Sequence, residues 1–200
     1  MSVQPGSRAT VLTQAANKAY RGEAALQQTT SRVGEGAFLE YLPHHLIPFA
    51  GSSYRQETTF HLAPDATLIA WDAYAAGRVV RGERFAFDHL WSVTRIYREE
   101  VAEVIDGLDL AGDAEPFGGY SYVAAAYVLA PEDLEPLAED LHRLLFRMPG
   151  ALASASASGP NLCAVRVLTR SAHALYEALN GARALARKRL GQPVPAREVR

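Results

Sequence analysis

A mainly β protein that ends in a strand–helix–strand–helix unit is what this sequence predicts, and three observations carry the reading. From residue 9 to about residue 105 the chain falls into short runs of β-branched, aromatic and alternating residues, separated by Gly, Pro, Asp and Ser. After Leu129 the apolar period lengthens from two residues to three and four. Two late segments then combine an apolar stripe with the end signals of helices.

The elements follow in order. Residues 9–14 and 17–21 are short extended segments. Residues 25–33 are Thr-rich and polar, as suits a solvated or edge strand. Gly34-Glu35-Gly36 is a turn, and 38–42 form a short apolar strand stopped by Pro43. Pro48 and Gly51-Ser52-Ser53 mark a loop. Residues 54–62 alternate imperfectly, Ala63-Pro64-Asp65-Ala66 is a turn, and 67–76 is apolar enough for a central strand. Residues 90–97 and 101–105 read as a hairpin through Arg98-Glu99-Glu100. Residues 120–129 are a strand. Pro131 is expected to open a helix over 131–146, with Glu132 and Asp133 near its positive end and Leu134, Leu137, Leu141, Leu144 and Leu145 as its stripe. Met148-Pro149-Gly150 stops it. The Ala/Ser-rich run 151–159 is compatible with a weak strand or a loop. Residues 162–168 are a strand, and Ser171 caps a helix over 171–189 with the stripe Leu175, Leu179, Ala182 and Ala186. Its basic last turn, Arg187-Lys188-Arg189, suits the negative dipole end. An irregular tail is expected from Gly191. No internal sequence repeat is read, although stacked strands form solenoids without one.

Bulk properties narrow the function. Two hundred residues suit a single domain over 1–200, and 48% hydrophobic with 21% charged residues is ordinary for a globular chain. A net charge of −2 argues against general nucleic-acid binding, which uses a basic excess. One cysteine, Cys163, rules out a disulfide framework and a Cys-rich metal site, and it reads as an inert core thiol. The first residues contain no apolar run long enough for a signal peptide or a membrane span, so a cytoplasmic location is expected.

Chemistry-bearing residues are few. Arg78, Arg81, Glu83 and Arg84 are a dense charge cluster beside apolar strands, and charges so placed must be paired or solvated. The competing reading is a surface ion-pair network. Glu40 lies inside an apolar strand on the face of Phe38 and Leu42, where a carboxylate needs an arginine or a cation. His44 and His45 are adjacent, and on an extended strand their rings point apart and chelate poorly. His61, His89, His142 and His173 lack ligand spacing. No nucleophile elbow, P-loop, dinucleotide fingerprint or HExxH helix is present.

The stretch LEYLP at 39–43, IPF at 47–49, HLAPDA at 61–66 and GR followed by RGERF at 77–85 resembles, in order and spacing, the urease accessory protein D family, called H in some organisms. TQAANKAYR at 13–21 and PFGGYSYVAAAYVL at 116–129 extend the resemblance over nearly the whole chain. The sequence departs from the family pattern in its His pair after LP, in starting after the family's N-terminal strands, and in ending PAREVR.

The resemblance implies a layered or helical stack of short strands with two helices near the C-terminus. It implies no covalent catalysis. The expected partners are the urease apoprotein, the helical accessory protein F and the GTPase accessory protein G. Nickel would be cargo in transit rather than a permanently bound cofactor, and neither nucleic acid nor membrane is an expected partner. Glu40, Asp72 and Glu83 are the candidate groups lining a nickel route, since borderline divalent cations pass between carboxylates and waters. Arg78, Arg81 and Arg84 are the candidate structural or partner-contact motif. Rival readings are a β-rich hydrolase with two carboxylates in one cleft, or a β-scaffold interaction module without a nickel role.

Overall fold

The computed structural model describes residues 1–112 and 115–193. The chain coils through two facing sheets. A first circuit contains β1 (Ser2–Val3), β2 (Arg8–Leu12) and β3 (Asn17–Ala19). A second contains β4 (Ala25–Val33), β5 (Phe38–Leu42) and β6 (Leu46–Pro48), and a third β7 (Ser53–Leu62) and β8 (Thr67–Ala75). Successive circuits stack in parallel: Ser2 pairs with Arg32, Arg8 with Phe38, Asn17 with Leu46, Ala25 with Tyr54 and Phe38 with Thr67. The step is therefore 29 or 30 residues, a solenoid repeat that the sequence reading does not find. The next strand, β9 (His89–Arg98), stacks on β7 after a longer step, because residues 77–87 loop out first.

A hairpin to β10 (Val101–Ala111) ends the first sheet, whose order is β1-β4-β7-β9-β10. Then β11 (Tyr122–Leu129) pairs antiparallel with β8. Helix α1 (Glu135–Phe146), β12 (Ala151–Ala157), β13 (Leu162–Thr169) and α2 (Ala172–Arg189) follow. The second sheet has the order β12-β13-β11-β8-β5-β2, with β6 also on β8 and β3 on β6. The mainly β stack with two late helices is thus the observed fold.

The turns stack as well as the strands. Gly6 N–H donates to Glu35 O at 2.8 Å, and Gly36 N–H to Asp65 Oδ1 at 2.8 Å. Arg98 finishes this corner by donating from Nη1 to the carbonyls of Ala63, Pro64 and Ala66 at 3.0, 2.7 and 3.2 Å. Gly34 must be glycine here: a Cβ would stand 2.9 Å from Pro5 N and 3.1 Å from Val3 O of the neighbouring turn.

Several boundaries differ from the sequence reading. Helix α1 begins at Glu135, and Pro136, not Pro131, occupies its first turn. Residues 131–134 instead follow the adjacent 158–162 turn, with Leu134 N–H donating to Pro160 O at 2.7 Å. The Ala/Ser run 151–157 is a strand, alternately half-buried against α1 and exposed. Leu46–Pro48 is a short strand, not loop, and the hairpin strand runs on to Ala111. Ser171 caps α2 as expected, its Oγ accepting Ala174 N–H at 3.2 Å. The tail expected from Gly191 lies beyond Pro193 outside the described residues.

Both helices cover the outer face of the second sheet. Leu137, Leu141, Leu175 and Leu179 pack there on Trp71 and Val165. One polar interaction fastens this layer. Glu40 of β5, wholly buried, accepts from Arg183 Nε and Nη2 at 2.7 and 2.8 Å. It also meets Arg187 Nη1 at 2.6 Å and Thr10 Oγ1 at 2.7 Å. The arginine that the sequence calls for is supplied twice, from α2. Burial alone would raise the Glu40 pKa, but the Arg183, Arg187 and Thr10 hydrogen bonds outweigh it and leave it lowered.

Removing one partner of a buried ion pair strands the others, so Glu40→Ala should cost about 3–5 kcal/mol in urea unfolding. Replacing Glu40, Arg183 and Arg187 together by apolar residues should recover most of that loss. Because the folded-state pKa is depressed, the Glu40 contribution is complete above its ordinary value of 4.5 and is lost as pH falls through the lower folded value. Wild type and Glu40→Gln should therefore converge in stability only in acid.

Candidate functional site: a polar belt between the sheets

Between the two sheets the core is not uniformly apolar. One cluster gathers Leu39, Phe60, Leu62, Leu68, Ile96 and Leu129, and another gathers Tyr54, Tyr74, Phe85, Phe87 and Leu90. Two rows of polar side chains separate them. In parallel register Gln27 pairs with Gln56 and Gln56 with Ser92, and Thr29 pairs with Thr58 and Thr58 with Thr94. Alternation puts all six on the inward face of the first sheet, and Gln56, Thr58, Ser92 and Thr94 are buried. The solenoid step is responsible. Gln27-Gln28-Thr29-Thr30 recurs one circuit later as Gln56-Glu57-Thr58-Thr59, so like stacks on like.

The second sheet adds Asp72. It is 6% exposed, and its Oδ1 accepts from Gln56 Nε2 at 2.8 Å while its Oδ2 accepts from Thr94 Oγ1 at 2.5 Å. Tyr74 Oη donates to Ser92 Oγ at 2.6 Å and accepts from Gln56 Nε2 at 3.2 Å. A cavity of about 110 Å³ runs from Asp72, Ser92 and Thr94 past Tyr127 to Asp106 and Arg166. There Asp106 accepts from Tyr127 Oη and, at 2.7 Å, from Arg166 Nη2. At the far end Tyr54 Oη donates to Gln27 Oε1 at 2.8 Å. The belt thus crosses the stack from the half-buried end of β4 to the partly exposed Asp106.

Among the described residues Asp72 has no arginine partner. Burial pushes its carboxyl up from the ordinary 3.8; the Thr94 and Gln56 hydrogen bonds oppose this, and the charge of Asp106 adds to it. What this arrangement offers is a sheltered row of hydroxyl, amide and carboxylate oxygens, the donor set of hard and borderline divalent cations.

The three candidate route carboxylates are not brought together. Glu40 faces the helices, Asp72 faces the opposite side of the same sheet, and Glu83 lies in the loop after β8. Glu83 accepts Ala50 N–H at 2.8 Å and Arg78 Nε at 3.0 Å, and the Arg78 guanidinium holds it below the usual carboxylate range. Arg78 lies over the Phe49 ring at 4.6 Å. Arg84 donates to Ser121 Oγ, to Tyr120 O at 3.0 Å and to Glu115 at 2.7 Å. Arg81 is exposed in a 3-10 turn, Val79–Arg81. Gly77 allows this loop to close: a Cβ there would sit 2.8 Å from Glu83 O, at a φ of +141°.

The histidine pair departs from the expectation. Pro43 takes the chain out of the strand, so alternation no longer applies. Both rings converge on the Tyr176 hydroxyl, with Nδ1 distances of 3.0 Å from His44 and 2.9 Å from His45. The remaining histidines are apart: His61 stacks on Tyr97, His89 meets Asp109, His142 stacks on Phe146 and His173 meets Glu177. Cys163 is wholly buried, and burial raises its thiol to about 11. Among the described residues no three His, Cys, Asp or Glu side chains form a metal-binding group, and no helix is long and apolar enough to cross a membrane.

Fold and site together define a right-sized class: a short β-solenoid with a helical cover and a polar belt along its axis. Comparison with known sequences gives the family. The model of UreD urease accessory protein matches residues 1–200. The chain is 36% identical over 192 residues to urease accessory protein UreD of Anaeromyxobacter sp. (strain Fw109-5), covering 87% of this chain and 62% of that protein. It is 36% identical over 138 residues to UreD of Halalkalibacterium halodurans, covering 64% and 51%. It is 34% identical to UreD 2 of Streptomyces griseus, covering 96% and 70%. This chain belongs to the UreD urease accessory protein family, and it spans 62% and 51% of the length of the first two relatives.

Two substitutions separate roles within the site. Asp72→Asn keeps both hydrogen bonds possible and removes a carboxylate whose ionised form burial disfavours. A raised folded pKa means that wild type loses stability as pH rises from the unfolded to the folded pKa. Asp72→Asn should therefore melt higher than wild type at pH 7, and the difference should vanish below the ordinary value of 3.8. Glu83→Ala releases a backbone N–H and a guanidinium, and should cost about 1.5–3 kcal/mol with faster proteolytic nicking within residues 77–87.

Proposed function

We propose that this chain acts as a urease maturation scaffold in the cytoplasm. It binds the urease apoprotein with accessory proteins F and G, and passes nickel toward the urease active site along the belt that contains Asp72. Family membership supports the urease role. The observation that carries the nickel role is the two-row oxygen ladder around an arginine-free buried carboxylate. A buried Asp with a raised pKa is a poor permanent anion but a good transient partner for a divalent ion, whose charge offsets the desolvation. Nickel is then cargo, and this chain needs no resident cofactor and performs no covalent step.

Glu40 suits the route less well, because Arg183 and Arg187 already occupy its oxygens. Glu83 is engaged in holding its loop. That loop, with Arg81 exposed beside Val80, is the part we assign to partner contact, together with Arg78 and Arg84. A paired-carboxylate hydrolase gives way to the family assignment.

The test measures nickel per urease active site and recovery of partners on the same tagged variants. With Asp72→Asn the complex should assemble at wild-type yield while nickel content falls several-fold at neutral pH, and the deficit relative to wild type should shrink as acid protonates the wild-type Asp72. Normal nickel content with Asp72→Asn would remove the route and leave a scaffold without a nickel role. Glu83→Ala should lose partner recovery and nickel content together.

A further inference from the structure

Among the described residues the helix-side ion cluster leaves one charge unbalanced. Arg183 and Arg187 are 8% and 6% exposed, and they share a single carboxylate, Glu40. Arg183 spends Nε and Nη2 on that carboxylate. Its third nitrogen, Nη1, has no hydrogen-bond partner among the described residues. The Arg183 side chain lines a cavity of about 140 Å³ between α2 and the break after β5. The remaining walls divide by chemistry. Leu42, Pro43 and the Trp71 indole are apolar, and Trp71 is held by donating Nε1–H to Pro43 O at 2.8 Å. Asn180, Tyr176 and His44 are polar.

The polar wall is rigid. Tyr176 Oη accepts His45 N–H at 3.0 Å and meets both imidazole Nδ1 atoms, so its one proton and two lone pairs are all engaged. Burial lowers the His45 pKa to about 4, which keeps that ring uncharged at neutral pH. His44 N–H donates to Thr13 Oγ1 at 2.9 Å. Asn180, like Arg183 Nη1, has a side-chain amide with no hydrogen bond among the described residues.

A divalent cation is repelled from this cavity by the excess guanidinium charge. A dianion brings more charge than the cluster lacks. One negative charge restores balance, two anions against two arginines. The apolar wall selects an anion with a small hydrocarbon part. We propose that this cavity binds a small monocarboxylate, its carboxylate taken by Arg183 Nη1 and the Asn180 amide and its alkyl group laid against Trp71 and Leu42. The site lies on the opposite face of the sheet from the Asp72 belt and does not rest on the nickel reading.

Trp71 supplies the reporter, since Trp91 is the other of the two tryptophans and can be replaced. In a Trp91→Phe chain, formate, acetate and propionate at neutral pH should each change Trp71 fluorescence saturably, with millimolar affinity and propionate tightest. Sodium chloride at equal ionic strength should do nothing. Asn180→Leu removes the amide and fills the space, and should abolish the response while leaving circular dichroism and the ligand-free melting midpoint near those of Trp91→Phe. No saturable change with any carboxylate overturns the proposal. So does an equal change with chloride, or an undiminished response in a folded Asn180→Leu chain. If Asn180→Leu does not fold, propionate bound to the Trp91→Phe chain decides: nuclear Overhauser contacts from its methyl to the Trp71 indole support the site, and their absence overturns it.

Discussion

Glu40 and its two arginines are the contact on which the architecture turns. A solenoid of short strands has one sheet face toward its partner sheet and one face toward water, and that second face must be covered if it is apolar. Here α1 and α2 cover it, and their leucines supply the bulk of the adhesion at about 1.5–3 kcal/mol for each fully buried side chain. Apolar contact is non-directional, however, and does not choose one sliding position of a helix over the next. Glu40 does choose. It reaches Arg183 and Arg187, one turn apart on α2, and Thr10 on the preceding circuit. Desolvating three charges costs several kcal/mol for each ion. The lowered Glu40 pKa says that the hydrogen bonds outweigh that cost for the carboxylate.

The same stacking rule that positions Thr10 beside Glu40 creates the belt. A step of 29 or 30 residues aligns each side chain with its counterpart in the next circuit. An apolar residue at a given phase then builds an apolar row, and a polar one builds a polar row. Gln27 over Gln56 and Thr29 over Thr58 are such rows, and Ser92 and Thr94 continue them onto β9 although the spacing there is longer. A buried polar row is tolerated only when its members satisfy one another. Gln56 to Asp72, Thr94 to Asp72 and Tyr74 to Ser92 do so.

Local signals carried most elements into the sequence reading, and long-range register carried none. The turn residues, the Ser171 cap and the leucine stripes lie within a few residues of the structure they specify. The arginine need of Glu40 was legible too, from a carboxylate sharing the Phe38 and Leu42 face. The parallel order was not, because hydrogen bonds between circuits leave no mark on either strand alone. The belt did leave a trace. Gln56 and Thr58 break the apolar phase of 54–62, and QQTT returning as QETT was a visible repeat. Read strand by strand, those residues look like imperfect alternation and a solvated edge. The His44–His45 convergence was hidden for a different reason. Strand alternation ends before Pro43, so it says nothing of where the two rings point.

Charge accounting across the second sheet explains why its two faces differ in what they can hold. Among the described residues two buried arginines on the helix side face one carboxylate, an excess of one positive charge. On the inner side Asp72 and Asp106 face one arginine, Arg166, an excess of one negative charge whenever Asp72 is ionised. At an effective dielectric constant near 20, a unit charge 4 Å away is worth about 4 kcal/mol. Differences of that size exceed what hydroxyl or amide placement alone contributes. On the proposed nickel route this difference favours a divalent cation on the Asp72 side over the Glu40 side, although both carboxylates are buried within one sheet. Burial makes a carboxylate sensitive to its neighbours: two arginines make Glu40 a helix anchor, and hydroxyl and amide donors leave Asp72 with a raised pKa.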